Sequence, residues 1–243
     1  MIKKSANFVF YFNTVNHFFM INNKVIPLSG KKTDAIIFDL GGVLLNLDFK
    51  RSIDAFIEVG FRNIEQELSR LLVSRPAGND LSFFHLYETG RISSREFRDE
   101  LRKHAGNDIP DEDIDRAWTA MLVDLHKENV SILEKLKSSY RLFLLSNTNA
   151  IHIETLLENK GKGEGFSRLT GLFEKVYYSH EIKMRKPDRE IFDHVMKDAG
   201  LKAENALFID DSIHNIEAAR EAGLQAYHHK ANTSLGEVFE MAV

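Results

Sequence analysis

The 243-residue chain lacks cysteine and has no excess of positive charge. Without cysteine, disulfide bonds, thiolate zinc sites and cysteine nucleophiles are all excluded. A chain that needs no disulfide suits a reducing compartment, so we expect a cytoplasmic location. Lys and Arg number 32 against 36 Asp and Glu, which gives a net charge of −4. This balance does not favour a nucleic-acid partner.

Long apolar runs are also missing. None approaches the ~20 residues that span a bilayer, so no membrane partner is expected. The N-terminal segment is rich in phenylalanine, but Asn13, Asn16 and His17 interrupt it. It also lacks the small-residue cleavage site of a signal peptide. We predict that residues 1–33 are a non-catalytic extension, either an added strand or hairpin or a segment preceding a true start at Met20.

Short apolar runs are present, and they indicate buried strands. Residues 35–38 form such a run immediately before Asp39, as expected for a strand buried on both faces of a parallel sheet. Amphipathic helical patterns separate the later runs, which predicts helices on both faces of the sheet. We therefore expect an α/β fold with a doubly wound, Rossmann-like parallel sheet. The four later strands are predicted at residues 141–145, 175–178, 206–209 and 225–228.

Residues 50–123 interrupt this alternation and contain no convincing strand. Ser93 and Glu96 have the spacing of a helix capping box. We predict an all-helical cap domain at 50–123, inserted into a core domain made of 34–49 and 124–243. A later glycine-rich stretch, 161–165, is predicted to be a loop. The cap helices are predicted within residues 53–59, 64–72, 81–87, 94–104 and 113–122.

Polar residues follow four of the predicted strands. In open α/β sheets, ligands bind beyond the carboxyl ends of the strands, at the point where the strand order reverses. Strand ends that are distant in sequence can therefore converge on one site. The clusters are Asp39 with Gly41 and Gly42, Ser146 with Asn147, Lys186, and Asp210 with Asp211 and Asn215.

These residue types suit a phosphate monoester as substrate. A carboxylate such as Asp39 can attack phosphorus and divide the hydrolysis into two easier steps. A divalent cation held by oxygen ligands, two of which Asp39 and Asp211 could supply, would relieve the repulsion between two anions. Lys186 and the Ser146 hydroxyl could stabilise the phosphoryl oxygens as charge develops on them.

Four segments resemble the motifs of the haloacid dehalogenase superfamily of hydrolases, in the expected order and with a cap at the expected insertion point. Several stretches of the chain are also similar to a bacterial subgroup that includes α-D-glucose-1-phosphate phosphatases, and more distantly to the N-terminal phosphatase lobe of epoxide hydrolases. Four motifs that each follow a predicted strand are far more specific than one. The segments are FDLGGV at 38–43, LLSN at 144–147, RKPD at 185–188 and FIDDS at 208–212.

The resemblance implies a magnesium-dependent phosphatase for a small phosphorylated metabolite. It implies that Asp39 is the nucleophile, that Ser146 and Asn147 hold the phosphoryl group, and that Lys186 pairs with both the nucleophile and the phosphoryl oxygens.

The same resemblance implies a set of ligands for Mg²⁺. Asp39, the backbone carbonyl of Gly41 and the carboxylate of Asp211 would bind the ion directly, and Asp210 would act through water. Asn215 would support the metal's water shell.

Gly41 is the main departure from the family pattern, because most phosphatases of this superfamily carry an acid–base Asp at that position. Losing a positioned general acid typically costs ~10²- to 10⁴-fold in rate. Three explanations are open: a substrate with a good leaving group such as an anomeric sugar phosphate, a substitute acid such as Asp48, or a slow phospholigand-binding relative. A 2-haloacid dehalogenase is a further alternative, although the Asp210–Asp211 pair argues against that metal-free reaction.

Other polar residues are interpreted more simply. Five histidines form no recognised metal spacing and are interpreted as surface or supporting groups: His152, His180, His214, His228 and His229. Trp118 is assigned to the cap core. His85, Glu88 and Arg91 could reach a substrate, but the simpler interpretation is that they are solvated helix residues.

Overall fold

A computed structural model describes residues 18–21, 24–27, 32–62, 64, 82–103, 105, 108–158 and 163–239. Within these residues, no helix has the length and apolar character needed to cross a membrane. The strands are β1 (Phe18–Ile21), β2 (Lys24–Pro27), β3 (Ala35–Phe38), β4 (Leu45–Leu47), β5 (Leu122–Leu125), β6 (Arg141–Ser146), β7 (Lys175–Tyr178), β8 (Ala206–Asp210) and β9 (Gln225–His228).

Ten described α-helices accompany these strands. They are α1 (Phe49–Glu58), α2 (Phe83–Glu88), α3 (Ser94–Arg102), α4 (Asp111–Thr119), α5 (Lys127–Lys137), α6 (Ala150–Glu158), α7 (Gly163–Thr170), α8 (Ser179–Ile182), α9 (Arg189–Asp198) and α10 (Ile213–Glu221).

Five strands form the central sheet in the order β7-β6-β3-β8-β9, and every neighbouring pair is parallel. The chain builds outwards from β3 on one side through β6 and β7, and on the other through β8 and β9. The reversal therefore lies at the carboxyl end of β3, between β6 and β8. The predicted doubly wound parallel sheet is confirmed.

The sequence of β3 explains why it lies at the centre of the sheet. All four of its residues are fully buried. Ile36 and Phe38 pack into the apolar layer that contains α5 and α7, whereas Ala35 and Ile37 pack into the layer of α9 and α10. Because successive strand residues point to opposite faces, only an uninterrupted apolar run can fill both layers.

A two-stranded antiparallel sheet, β4 with β5, corrects the prediction that 50–123 contain no strand. The predicted helix over 113–122 ends at Thr119, and Leu122 begins β5. Both strands are short and only partly buried, so they lack the continuous apolar run by which the core strands were recognised. We call this pair the flap.

The helices α1 to α4 share a third apolar cluster, which is rich in aromatic residues. The predicted capping box at Ser93 and Glu96 is confirmed, because each side chain bonds the other residue's backbone N–H. Most of the helix predicted over 64–72 lies outside the described residues. The division into a core and a cap domain stays a prediction. We use "cap" only for the helices α1 to α4, which share this cluster, and "core" for the central sheet and the segments that pack on it.

Two further expectations concern loops and the N-terminus. The described part of the N-terminal segment forms an antiparallel pair, β1 with β2, as the hairpin interpretation predicts. The loop prediction for 161–165 is wrong in its second half, because α7 begins at Gly163. The burial of Phe166 and Leu169 in the core outweighs the low helix propensity of the glycines.

Candidate active site

Asp39 follows β3 at the point where the strand order reverses. Its backbone N–H donates to the carbonyl of Ile209 at 2.9 Å, which fixes its position beside the end of β8. The backbone N–H of Leu40 donates to Asp39 Oδ1 at 2.7 Å. The carboxylate is thus oriented by the chain that immediately surrounds it.

Lys186 lies between two carboxylates and is 1% exposed. Its Nζ is 2.8 Å from Asp39 Oδ1 and 2.7 Å from Asp210 Oδ2, and it donates to the carbonyl of Leu145 at 3.0 Å. Burial alone would lower the pKa of Lys186, but the charges of Asp210 and Asp39 outweigh burial and raise that pKa. The lysine is therefore a fixed positive charge beside the nucleophile predicted from the sequence.

Asp39, Asp210 and Asp211 bring one carboxylate oxygen each to within 4.8 Å of one another. Burial raises the pKa of Asp39 to about 8, with the help of the two neighbouring carboxylates and against the charge of Lys186. Burial, and after it the charge of Asp210, raises the pKa of Asp211 to about 6. One lysine does not balance three clustered acids, so the site is electrostatically suited to a cation.

The donor set fits a hard divalent metal ion. Carboxylate and carbonyl oxygens are the ligands that Mg²⁺ prefers in proteins. Gly42 makes room for this set, because a Cβ on Gly42 would lie 2.3 Å from Asp211 Oδ2. The backbone there has φ +75°, which also favours glycine.

Asp210 is held by four hydrogen bonds from the protein. Its Oδ1 accepts from the backbone N–H of Ser212 at 2.8 Å and from Asn215 Nδ2 at 3.0 Å. Its Oδ2 accepts from Lys186 Nζ and from the same Asn215 amide at 3.1 Å. The observed partner of Asn215 is therefore Asp210, and support of a metal's water shell stays a prediction.

Asn147 and Ser146 follow β6, and the structure places them next to the Lys186 loop. Asn147 Nδ2 donates to the carbonyl of Lys186 and its Oδ1 accepts from the backbone N–H of Lys186, both at 2.9 Å. The Asn147 side chain thus positions the lysine loop instead of pointing freely at a ligand. Ser146 is buried at the strand end. A phosphate contact by either residue stays a prediction.

The flap closes over Gly41. A Cβ on Gly41 would lie 2.7 Å from Leu47 Cδ1, so a leucine fills the space into which an acid–base side chain would project. Asp48, the candidate substitute acid, instead caps α1 by accepting from the backbone N–H of Lys50 at 3.1 Å. Neither Gly41 nor Asp48 is therefore an evident general acid in this structure.

Asn232 holds the flap in place from the far end of the chain. Its Oδ1 accepts from the backbone N–H of Leu47 at 2.9 Å, and its Nδ2 donates to the Leu47 carbonyl at 3.0 Å. Its own backbone N–H donates to the carbonyl of Gly42 at 2.8 Å. Asn232 could not be identified from the sequence, because the contact joins positions 185 residues apart.

A cavity of about 160 Å³ lies between the cap helices and the strand ends. Its apolar wall includes Leu47, Phe49 and Trp118, and its polar wall includes His85, Glu88 and His152. Both histidines are buried. This corrects the interpretation of His85 as a solvated residue, and of the two alternatives for His152 it leaves the supporting group. Trp118 belongs to the cap cluster, as predicted, and also faces the cavity.

Glu88 joins the cap to the core beside this cavity. Its Oε2 is 3.2 Å from both Nε and Nη2 of Arg185, the residue before Lys186. Its backbone carbonyl accepts from Ser179 Oγ at 2.6 Å. Burial raises the pKa of Glu88, and the charge of Arg185 opposes this effect. The residue is thus a cap–core contact and not a solvated helix residue.

The parallel Rossmann-like sheet and the acidic cluster at its strand ends fit an enzyme that hydrolyses its substrate with carboxylate groups. The family model for haloacid dehalogenase-like hydrolases matches residues 33–223. The chain belongs to this family, and the resemblance found in its motifs is confirmed.

Similar proteins include phosphatases. A D-ribitol-5-phosphate phosphatase of Bacteroides thetaiotaomicron is 29% identical over 192 residues, which cover 79% of this chain and 89% of the relative. A phosphoglycolate phosphatase of Aliivibrio fischeri is 26% identical over 196 residues, which cover 79% and 82%. A haloacid dehalogenase family enzyme of Bacteroides thetaiotaomicron, solved with magnesium and inorganic phosphate, is 38% identical with a TM-score of 0.74, covering 85% of this chain and 99% of its own.

Proposed function

We propose that the protein is a magnesium-dependent phosphatase that hydrolyses a small phosphorylated metabolite through an aspartyl-phosphate on Asp39. The observation that carries the proposal is the approach of three strand-end carboxylates to within 4.8 Å of one another, with Lys186 bonded to two of them. The similarity to phosphatases, and to an enzyme solved with magnesium and phosphate, supports the same conclusion.

In this proposal Asp39, Asp211 and the Gly41 carbonyl would hold Mg²⁺ directly, and Asp210 would hold it through water. The bound ion would supply positive charge that offsets the repulsion between the nucleophile and the phosphate. Asp210 has a second task, because its carboxylate fixes Lys186 from the side opposite Asp39.

The chain's own groups then act in two steps. The phosphoryl oxygens accept hydrogen bonds from Lys186, Ser146 and the backbone at Asn147, and Asp39 attacks phosphorus while the ester P–O bond breaks. The leaving alcohol takes its proton from water, since Gly41 provides no acid. In the second step water attacks phosphorus and the bond between phosphorus and Asp39 breaks. The Asp39 carboxylate is regenerated and inorganic phosphate is released.

The cavity limits the size of the leaving group. A cavity of about 150 Å³ accepts a molecule the size of benzene, and the cavity here is about 160 Å³. The cavity therefore favours a small leaving group, in agreement with the ribitol phosphate relative. An anomeric phosphate would suit the missing acid, because its leaving hydroxyl is more acidic than that of a simple alcohol.

A panel of phosphorylated metabolites, assayed with and without Mg²⁺, tests the proposal. We expect phosphate release that requires the metal, and its loss in Asp39→Asn. Chloride release from a 2-haloacid without metal would instead favour a dehalogenase. Tight vanadate binding without turnover of any ester would favour a phospholigand-binding relative.

A further inference from the structure

His85 is a buried histidine whose ring has no hydrogen-bond partner among the described residues. The residue is 3% exposed, and its Nδ1 is left without a hydrogen bond in this part of the chain. The His85 backbone carbonyl accepts from the backbone N–H of Thr89 at 3.0 Å and from Thr89 Oγ1 at 2.7 Å, but these bonds do not involve the ring. A buried polar atom without a partner costs free energy unless a ligand or water completes it.

The position of His85 indicates what could complete it. The residue lies in α2 and forms part of the wall of the cavity between cap and core. His126 and His180 also carry an unpartnered ring nitrogen within the described ranges, but neither lines this cavity. Of the described histidines with an unpartnered ring nitrogen, His85 is therefore the one that belongs to the cavity wall.

The charge state of His85 narrows the chemistry of the ligand group. Burial, followed by the charge of Arg185, lowers the pKa of His85 to about 4, so the ring is neutral near pH 7. A neutral imidazole has one donor and one acceptor nitrogen. A hydroxyl can pair with either nitrogen, whereas a carboxylate can only accept and an ammonium can only donate.

The cavity residues around His85 also favour a ligand that carries hydroxyl groups. Glu88 shares the cavity with His85, so a negatively charged leaving group would meet a carboxylate there. Phe49, Phe84 and Trp118 supply apolar surface for carbon atoms. A neutral carbon skeleton that carries hydroxyls therefore matches both parts of the wall.

We infer that His85 is a specificity residue whose imidazole hydrogen-bonds a hydroxyl of the leaving group, so that the substrate class is the phosphates of uncharged polyols and sugars. The inference rests on the proposed phosphatase function and adds the part of the substrate that the cap recognises. It assigns His85 no proton transfer to the reacting atoms.

The test compares two matched pairs of substrates that differ in their hydroxyl groups. Ribitol 5-phosphate is paired with pentyl phosphate, and glucose 1-phosphate with cyclohexyl phosphate. We expect His85→Leu to lower kcat/KM about 10- to 100-fold for the better hydroxylated substrate, which corresponds to one lost hydrogen bond to a buried group. For the partner substrate that lacks the hydroxyls, kcat/KM should change less than about threefold. His85→Gln should recover part of the kcat/KM lost for the hydroxylated substrate.

His126→Leu is the matched control, because it also removes an unpartnered ring nitrogen but lies outside the cavity. Thermal unfolding of each variant identifies loss of folding. If His85→Leu lowers both members of a pair equally, or neither, the inference is wrong although the phosphatase function stands.

A binding measurement separates the two proposals. In the Asp39→Asn protein, ribitol 5-phosphate or glucose 1-phosphate should shift the ring ¹⁵N resonances of His85, and pentyl phosphate should not. If wild-type protein hydrolyses no ester with Mg²⁺, the proposed function fails, and this shift still decides the role of His85. Ring resonances that no hydroxylated ligand moves would overturn the inference.

Discussion

At the scale of single residues, Gly42 shows how an absent side chain shapes the acidic cluster. Its backbone has φ +75°, and an added Cβ would lie 2.3 Å from Asp211 Oδ2. Gly42→Ala should therefore displace the Asp211 carboxylate and lower Mg²⁺-dependent phosphate release at least tenfold. Steady-state assays over a range of Mg²⁺ concentrations measure the loss and any weakening of metal affinity.

Gly200→Ala is a close control for this variant. Gly200 also has a positive φ, of +62°, but no described atom lies within 4 Å of the position that a Cβ would take there. Both substitutions carry the backbone cost of a left-handed conformation, about 1–2 kcal/mol. Equal loss of activity in the two variants would show that backbone strain, and not the Asp211 contact, explains the effect.

The burial of His152 predicts how the free energy of unfolding depends on pH. Burial lowers its pKa to about 4, whereas a histidine in an unfolded chain titrates near 6.5. Between these values the unfolded chain binds a proton that the folded protein does not, so the free energy of unfolding falls as the pH falls from 6.5 to 4. This one group should contribute a decrease of about 3 kcal/mol.

His152→Phe removes the titration and can keep the stacking on Trp118, whose ring centroid is 4.9 Å away. Urea unfolding of both proteins at pH 7 and pH 4 measures the effect. We expect the variant to lose less stability than the wild type over this range. Equal losses would mean that His152 does not titrate as described, since all other groups are common to both proteins.

The residue scale also shows where sequence analysis succeeded. Asp39, Lys186 and Asp210 could be placed together because each follows a predicted strand or belongs to a family motif. The partners of Asn147 and Asn215 could not be predicted, because a motif names a residue without showing which atoms it bonds. His85 was named from the sequence as a residue that could reach a substrate, but its burial could not be predicted, because it depends on packing between cap and core.

At the scale of elements, a side chain from the C-terminal part of the chain, that of Asn232, adds to the strand pairing that holds the flap. Asn232 pairs with both the N–H and the carbonyl of Leu47, as a neighbouring strand would. Asn232→Gly removes these bonds and suits the observed φ of +59°. Hydrogen exchange at the Leu47 amide should become about 10- to 100-fold faster.

Asn232→Asp provides an intermediate case, because it keeps an acceptor for the Leu47 N–H and loses the donor to the Leu47 carbonyl. We expect the flap amide to be protected more in this variant than in Asn232→Gly. We also expect kcat to fall in the same order, since Leu47 lies against Gly41 and in the cavity wall. An unchanged exchange rate in Asn232→Gly would refute this role.

The elements that were predicted well are those that bury apolar residues continuously. The bounds of β3, β7 and β9 agree with the predicted 35–38, 175–178 and 225–228. The flap strands were missed because each is short and half-exposed, and because their pairing joins positions about 80 residues apart. Such a long-range pairing cannot be predicted from the local sequence of either strand.

At the scale of the whole molecule, the central feature is an excess of negative charge at the carboxyl ends of the central strands β3 and β8. A cation that binds the folded protein and not the unfolded chain raises its stability by mass action, by about 2.7 kcal/mol at 100 times Kd. Mg²⁺ should therefore raise the Tm, and Asp211→Asn should lose most of this gain.

Asp54→Asn is the control, because Asp54 pairs with Lys50 on the surface and lies outside the acidic cluster. It should keep the full gain in Tm with Mg²⁺. A gain that Asp211→Asn retains in full would place the stabilising ion elsewhere.

Covalent phosphate on Asp39 is the most direct test of the account. Wild-type protein with Mg²⁺ and a hydrolysed phosphate ester would be quenched in acid during turnover, digested and analysed by mass spectrometry. We predict a phosphorylated peptide that contains Asp39 and is absent when Asp39→Asn is treated in the same way. Phosphate release with no phosphopeptide at any quench time, or with the phosphate on another residue, would contradict the account.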